Sequence, residues 1–330
     1  MSELASFVDA RFTRAFGALG GPKIAFDGGC FTGEASLALF GGEISMPGCR
    51  FEMTCRIRFS GDLVADACFF LAESTIAGPA RHAPQTGAIR SLRGALLEHV
   101  TIEDADLSSC LFDGAYNLDE LRIAPSCRFA APPDAPGFAH RRTIAEENLW
   151  RAHQRRHRLG GGSWEVPAFP EWLGGRAPPL QKLEPADIAL IYRALRKSTE
   201  DRNDQPGAAD FYYGEMEMRR HGARRTSGEA LLLSLFWAFS GYALRASRAI
   251  GGLTLICLVF AIGFTAFGFA ERHSFGEALI YSFGASARVA TNFDHAPLTV
   301  AGSILAIVLG TVGPVLFGLA LLSVRGRVQR

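Results

Sequence analysis

The 330-residue sequence predicts an integral membrane protein with a repeat-built soluble region ahead of two membrane-spanning helices. Three observations lead to this fold class: two long runs without charge in the last third, a five-residue recurrence of apolar side chains in the first half, and arginines flanking the uncharged runs. The predicted divisions are an N-terminal segment (1–22), a repeat domain (23–130), a basic helix with a Gly/Pro linker (131–183), a helical hairpin (184–228) and a membrane domain (229–330).

The repeat domain is predicted from side chains spaced five residues apart. The clearest series is Leu92, Leu97, Ile102, Leu107 and Phe112, and the residues two before them are Arg90, Ala95, Val100, Ala105 and Cys110. Shorter series with shifted registers contain Phe26 and Phe31, then Met46 and Phe51, and finally Phe59, Val64 and Phe69. An irregular β-sandwich with accidental spacing is the alternative.

This spacing resembles the pentapeptide-repeat family, whose A(D/N)LXX units wind a four-sided right-handed β-helix. The resemblance implies a degenerate pentapeptide-repeat β-solenoid of about five coils over 23–130, in which each central residue and the residue two before it point inward. Stacked coils bury a continuous core that no single coil can bury. It also implies a protein partner on this domain.

A basic helix is predicted over Ala139–Arg158, followed by a Gly/Pro/Trp-rich linker, Leu159–Pro179. Six arginines fall within the helix: Arg141, Arg142, Arg151, Arg155, Arg156 and Arg158. No aromatic platform or recognition motif accompanies them, and the net charge of the chain is only +1, so nucleic acid is not expected as a partner. We expect a solvated or membrane-facing basic surface.

The segment Glu184–Arg225 predicts two helices separated near Asn203–Pro206. Core positions on the first helix are Ile188, Ile191, Tyr192 and Leu195; those on the second are Ala208, Phe211, Tyr212, Glu215 and Met218. The pair resembles a tetratricopeptide-type hairpin, and its DFYYGEMEMRR sequence is similar to a segment that precedes the spans in bacterial membrane proteins joining pentapeptide repeats to a channel-like tail. Glu215 and Glu217 face different sides of a helix, which predicts solvated or salt-bridged carboxylates.

Two membrane spans are predicted at Ala249–Ala270 and Leu298–Val324, which contain 22 and 27 residues without one charge. A bilayer core of about 30 Å needs about 20 apolar residues. The alternative, two buried helices of a soluble core, is disfavoured because neither run has a polar face. The chain opens without a signal peptide, so the spans themselves are expected to direct insertion.

Arginines fix the predicted orientation, because cytoplasmic flanks are enriched in basic residues. They precede the first span (Arg219, Arg220, Arg224, Arg225, Arg245, Arg248) and follow the second (Arg325, Arg327, Arg330). The sequence therefore predicts a multi-pass protein of the plasma membrane with both termini in the cytoplasm. The apolar stretch Glu229–Arg248 is predicted to lie in the membrane interface, with a short third span as the alternative.

A short helix is predicted between the spans, over Ser274–Ala287, because Ser274 and Glu277 form a capping box. Ala278, Tyr281, Ser282 and Ala285 share one face of this helix, and Phe275, Leu279 and Phe283 tend toward another.

This order of span, short helix, loop and second span resembles the two-transmembrane pore module of the potassium-channel-like superfamily. The resemblance implies a re-entrant short helix, a filter loop, a homo-oligomer (a tetramer) and an inner helix with a gating hinge. The candidate pore-loop residues are Ser286, Arg288, Thr291, Asn292 and Asp294; the candidate hinge residues are Gly310, Gly313 and Pro314. An ordinary packing kink at Gly313-Pro314 is the alternative to a hinge.

The loop departs from the filter of that family, which is a TxGYG-type strand whose carbonyls replace the hydration shell of the ion. No glycine lies between Gly284 and Gly302, and Arg288 would place a positive ring in an oligomeric pore. Potassium selectivity is therefore not expected. Two functions remain: a channel-like bacterial protein with a cytoplasmic solenoid, or a membrane-anchored scaffold whose spans only tether the soluble domain.

Enzymatic chemistry is not expected, since the sequence holds no HExxH, Walker, GxSxG or strand-associated GxGxxG motif. The seven cysteines contain no CxxC pair, and they are predicted to be reduced thiols, mostly buried. No catalytic residue, metal site or cofactor is assigned.

Overall fold

The protein is described by a computed structural model, which covers residues 4–79, 87–132, 141–156, 183–224, 226–242, 246–287 and 297–328. The chain forms two compact units, Met1–Gly222 and Ala223–Arg330.

The first unit begins with a parallel β-solenoid of about six turns. Its strands are β1 (Leu4–Val8), β2 (Arg11–Phe12), β3 (Ala15–Asp27), β4 (Cys30–Phe31), β5 (Ala35–Ser45), β6 (Arg50–Phe51), β7 (Cys55–Val64), β8 (Phe69–Phe70), β9 (Ser74–Ala77), β10 (Gly87–Ser91), β11 (Val100–Glu103) and β12 (Arg122–Ile123). One sheet runs β1-β3-β5-β7-β9-β11-β12, with β10 beside β7, and the other runs β2-β4-β6-β8. Because β1 pairs in parallel with β3, residues 4–22 form the first coil and not a separate segment.

Parallel pairing between residues about one coil apart excludes the sandwich alternative. Phe12, Phe31, Phe51 and Phe70 occupy equivalent positions in successive coils, 19 or 20 residues apart. Their rings stack at centroid distances of 4.7, 4.6 and 5.0 Å. Such offset stacks add to the stabilisation from buried area.

The five-residue spacing between residues 92 and 112 marks inward-pointing side chains, as expected. Leu92, Leu97, Ile102, Leu107 and Phe112 are at most 1% exposed. The prediction for Phe69 is wrong: its ring is 41% exposed and Phe70 lies inside. Coils of 19 and 20 residues alternate here, whereas a strict five-residue repeat requires 20 in every coil. The 19-residue coil from Phe51 to Phe70 therefore shifts the inward-pointing residue by one position relative to the repeat.

After the solenoid, the described part of the first unit contains the helices α1 (Ala145–Arg156), α2 (Pro185–Asp201) and α3 (Gln205–Gly222). Ala145 and Leu149 of α1 pack against Leu111 of the solenoid. The apolar faces of α2 and α3 extend the solenoid core through buried Ile188, Tyr192, Leu195, Phe211 and Met218. The predicted pair of helices is confirmed, with residues 202–204 between them.

The second unit contains α4 (Gly228–Ser240), α5 (Ala246–Gly263), a π-helical turn (Phe264–Gly268), α6 (Phe275–Ala287) and α7 (Val300–Val328). The stretches Ile250–Gly268 and Val300–Gly318 are long and apolar enough to cross a membrane. At 1.5 Å per residue, the 13 residues of α4 extend about 20 Å, which is too short for a third span. Its exposed leucines are Leu231, Leu232 and Leu235.

Candidate functional site

The amino end of α6 is fixed by the predicted capping box. The Ser274 backbone N–H donates to Glu277 Oε2 at 2.8 Å, and the Glu277 N–H donates to Ser274 Oγ at 3.3 Å. Both orphan amides are thereby satisfied, so that the helix begins at Phe275.

Near the amino end of α6, the last residue of the π-helical turn, Gly268, lies against the first turn of α7. A Cβ on Gly302 would stand 1.9 Å from the carbonyl oxygen of Gly268, a distance that only glycine permits. The Thr299 N–H donates to that same carbonyl at 3.0 Å, and the Ala270 N–H donates to the Pro297 carbonyl at 2.8 Å. The two apolar helices are therefore antiparallel, and backbone hydrogen bonds hold them together near the amino end of α6.

The predicted face of α6 is buried in the second unit at Ala278, Tyr281 and Ser282 and partly buried at Ala285. The Tyr281 ring meets Phe264 edge-on at 4.9 Å and Phe269 at 5.6 Å. On the other predicted face, Phe275 and Phe283 are exposed, whereas Leu279 is partly buried against the core of the second unit.

The carboxyl end of α6 reaches residues near the midpoints of both long helices. Ser286 is 1% exposed, and its Oγ lies 3.6 Å from the Sγ of Cys257, which is central in the stretch 246–268. A Cβ on Gly313, central in α7, would stand 2.5 Å from the Ser286 Cα. Helix α6 thus runs from one end of the helix pair to its middle.

The remaining predicted site residues divide into two groups. Arg288, Thr291, Asn292 and Asp294 lie outside the described residues. Pro314 lies inside α7, which continues from Val300 to Val328. A Cβ on Gly310 would meet nothing within 4 Å, whereas Gly313 is a close-packing position; the gating hinge stays a prediction.

A buried ionic cluster in the first unit was missed by sequence reasoning. Glu147 on α1 is fully buried and accepts hydrogen bonds from Arg141 at 2.5 Å, Arg151 at 2.6 Å and the Tyr192 hydroxyl at 2.5 Å. Burial alone would raise the pKa of Glu147, but the charges of Arg141 and Arg151 hold this pKa below its usual range. The prediction of a solvated basic surface is therefore wrong for Arg141 and Arg151. The four-residue spacing of Glu147 and Arg151 could have indicated an ion pair on one face of the helix.

The cluster extends to α3 through Glu217, which lies 3.3 Å from Arg151 and 2.8 Å from Arg220. Burial opposes ionisation, but the hydrogen bond with His221 and the charges of Arg220 and Arg151 lower the pKa of Glu217. Glu215, also buried, lies 3.5 Å from Arg196. The salt-bridged interpretation of the two carboxylates is confirmed, and they are not solvated.

Glu146 joins α1 to the solenoid. Its Oε1 accepts the backbone N–H groups of Phe112 at 2.5 Å and Asp113 at 3.1 Å, while Oε2 has no hydrogen-bond partner among the described residues. Burial raises the pKa of this carboxyl to about 7, and the two backbone hydrogen bonds oppose the shift.

We expect Glu146→Gln to change the pH dependence of stability. The pKa of this carboxyl is about 7 in the folded protein and near 4.5 in the unfolded chain. Its contribution to the free energy of unfolding is complete below pH 4.5 and is lost as the pH rises through 7. The amide carries no charge, so the variant should gain about 2–3 kcal/mol of stability relative to the wild type between pH 5 and pH 8. Thermal unfolding at both pH values checks this, with exposed Glu103→Gln as the control; equal shifts at both pH values would contradict it.

No family model, no curated protein and no solved structure matches this chain. Within the described residues, no group of three or more histidine, cysteine, aspartate or glutamate side chains could hold a metal ion.

Proposed function

We propose that the second unit is a channel-like two-transmembrane module in the plasma membrane of a bacterium, assembled as a homo-oligomer, a tetramer, around a pore without potassium selectivity. The observation that carries the proposal is the position of α6, whose carboxyl end at Ser286 contacts Cys257 and Gly313 near the midpoints of the two apolar helices. If those helices cross the bilayer, α6 is a re-entrant half-span.

An oligomer follows from the hydrogen-bonding demand of backbone inside a membrane. The last carbonyls of α6 have no intrahelical partners, and non-helical backbone at membrane depth is tolerated only inside protein or along a water-filled cavity. Residues 288–296 join the mid-depth end of α6 to the start of α7. Neighbouring subunits around a central axis would supply the required enclosure.

The pore-loop sequence argues against potassium. Without a glycine, the carbonyl-inward strand that strips the hydration shell is hard to adopt. Arg288 would add one positive charge per subunit near the axis, which disfavours cations.

The rest of the chain is proposed to lie on the cytoplasmic side. Arginines before α5 and after α7 favour cytoplasmic termini, and α4 would lie in the interface with Leu231, Leu232 and Leu235 in the lipid. The solenoid has six cysteines, five of them buried and none in a disulfide, which suits a reducing compartment.

A second candidate function is a membrane-anchored scaffold that does not conduct. The loop without glycine favours it, because that loop lacks the residues that a selective filter needs. In that case the apolar helices tether the solenoid, which binds a protein partner.

Purified protein in planar bilayers separates the two functions. The pore proposal predicts unitary currents, and Arg288→Ala should raise the permeability to cations relative to anions severalfold, since the positive ring is removed. Arg122→Ala, on the solenoid, is the control. Absence of current from both the wild type and Arg288→Ala, together with monomers in native gels, would leave the scaffold.

A further inference from the structure

A groove lies between the solenoid and the first half of α2. The solenoid contributes residues 112–115 and 117–119 to one wall, and α2 contributes one face, from Asp187 to Ala194, to the other. The volume of the groove is about 350 Å³, within the range of ligand pockets in proteins. Both walls belong to the first compact unit, so the groove is a property of one folded body.

Apolar side chains line the groove and continue outside it. Leu190 of α2 lines the groove and is 63% exposed. Tyr116, which stands between two lining residues in the sequence, is 61% exposed. Parallel bridges join Tyr116 to Leu96 and Leu96 to Phe69 in the preceding coils, and Phe69 is also exposed. These three residues form an apolar strip that crosses three coils, and exposed apolar surface of this kind marks protein interaction sites.

Two carboxylates define the charge of the groove. Asp113 on the solenoid wall and Asp187 on the α2 wall form no salt bridge among the described residues. The neighbouring cations are paired with other acids, since Arg93 in the preceding coil has a carboxylate partner at 2.7 Å and Lys197 lies 2.6 Å from Asp119. The negative charge of Asp113 and Asp187 is therefore available to a cation from outside, and complementary charge of this kind selects the partner.

We propose that the groove and the apolar strip bind a basic, amphipathic segment of a partner protein. An arginine or lysine of that segment lies between Asp113 and Asp187, and its apolar side chains cover Leu190 and the strip. A small organic cation would leave the strip exposed, and an anionic membrane surface would be repelled by the two carboxylates. The inference deepens the scaffold function, and it stands apart from the pore because its test measures binding and no current.

Selection of peptides against the full chain in detergent tests the proposal. The probe is a phage library of random peptides of about 12 residues, which extend to about 40 Å. Selected peptides should combine arginine or lysine with leucine, isoleucine or aromatic residues. Their affinity for Asp113→Asn/Asp187→Asn should fall by about tenfold or more, because the cation loses both partners. Glu103→Gln, which removes an exposed carboxylate from β11, is the control and should bind as the wild type does.

A second pair of variants tests the apolar wall. Leu190→Ser should weaken binding of the same peptides severalfold, because it removes exposed apolar contact surface from the groove. Phe40→Ser, at a similarly exposed apolar side chain on β5, should leave the affinity unchanged. Thermal unfolding of each variant shows that it is folded, and exposed positions are expected to tolerate these changes.

Three outcomes would overturn the proposal: a library that yields no binding peptide, selected peptides without basic residues, or basic peptides that bind Asp113→Asn/Asp187→Asn as tightly as the wild type. The chain itself provides one alternative occupant. Replacing residues 159–179 with a Gly/Ser linker of equal length should leave the peptide affinity unchanged. A large gain in affinity would instead assign the groove to that segment of the chain and overturn the proposal of a separate partner.

Discussion

Glu147→Ala is expected to destabilise the first unit by about 3–5 kcal/mol, because it takes the carboxylate away from the buried guanidinium group of Arg141. Arg141 is 8% exposed and hydrogen-bonds Glu147 and, at 3.5 Å, the hydroxyl of Tyr192. Removing the carboxylate takes away the anion that offsets the desolvation of Arg141, whereas Arg151 keeps its ion pair with Glu217 at 3.3 Å. The unfolding midpoint of the first unit measures the effect.

The double variant Arg141→Leu/Glu147→Leu provides the control for this cluster. Replacing a buried ion pair by apolar residues often costs far less than removing one partner. The double variant should therefore be more stable than Glu147→Ala, even though it changes more atoms. A double variant less stable than Glu147→Ala would show that the cluster acts through its hydrogen bonds more than through charge balance.

Gly302→Ala is expected to disrupt the second unit, because the added methyl would stand 1.9 Å from the Gly268 carbonyl oxygen. A backbone atom cannot move aside without shifting the helix, so the π-helical turn and α7 must separate. Overpacking of this kind typically costs about 1–3 kcal/mol. Gly313→Ala, which meets the Ser286 backbone at 2.5 Å, should act similarly by displacing the end of α6.

Gly310→Ala is the matched control on the same helix. Its methyl would have no neighbour within 4 Å, and alanine favours a helix over glycine by about 1 kcal/mol. Thermal stability of the detergent-purified protein should therefore fall for Gly302→Ala and Gly313→Ala and hold or rise for Gly310→Ala. Equal losses at all three positions would mean that these glycines act through backbone flexibility and not through close packing.

Features that depend on neighbouring residues were predictable from the sequence. The capping box at Ser274 and Glu277 is recognised from a three-residue spacing. The series from Leu92 to Phe112 is recognised because inward-pointing residues recur every five positions within this part of the solenoid. The two apolar helices follow from composition, because the absence of charge over about 20 residues leaves few other structures.

Features that depend on distant residues were not predictable. Tyr192 donates a hydrogen bond to Glu147 across 45 residues, and Arg151 pairs with Glu217 across 66 residues. Sequence spacing does not show such distant partners, which is why the arginines were expected to form a solvated surface. The glycine-rich Ala15–Gly21 gave no repeat, since only Ala15 and Leu19 of this stretch pack against the core, and both are only partly buried. The carboxyl end of α6 contacts Cys257 and Gly313, and no spacing within the connector encodes these contacts.

The most direct test of the channel-like module is the membrane depth of α6 in the reconstituted full chain. Nitroxide labels at exposed Phe275, Ile280 and Phe283 would be compared by relaxation with lipid-soluble and water-soluble agents. At 1.5 Å per residue, a re-entrant α6 places position 283 about 12 Å deeper than position 275, with Ile280 between them. Equal depths for all three labels at the water–lipid boundary would contradict the account and leave a helix that lies on the membrane surface.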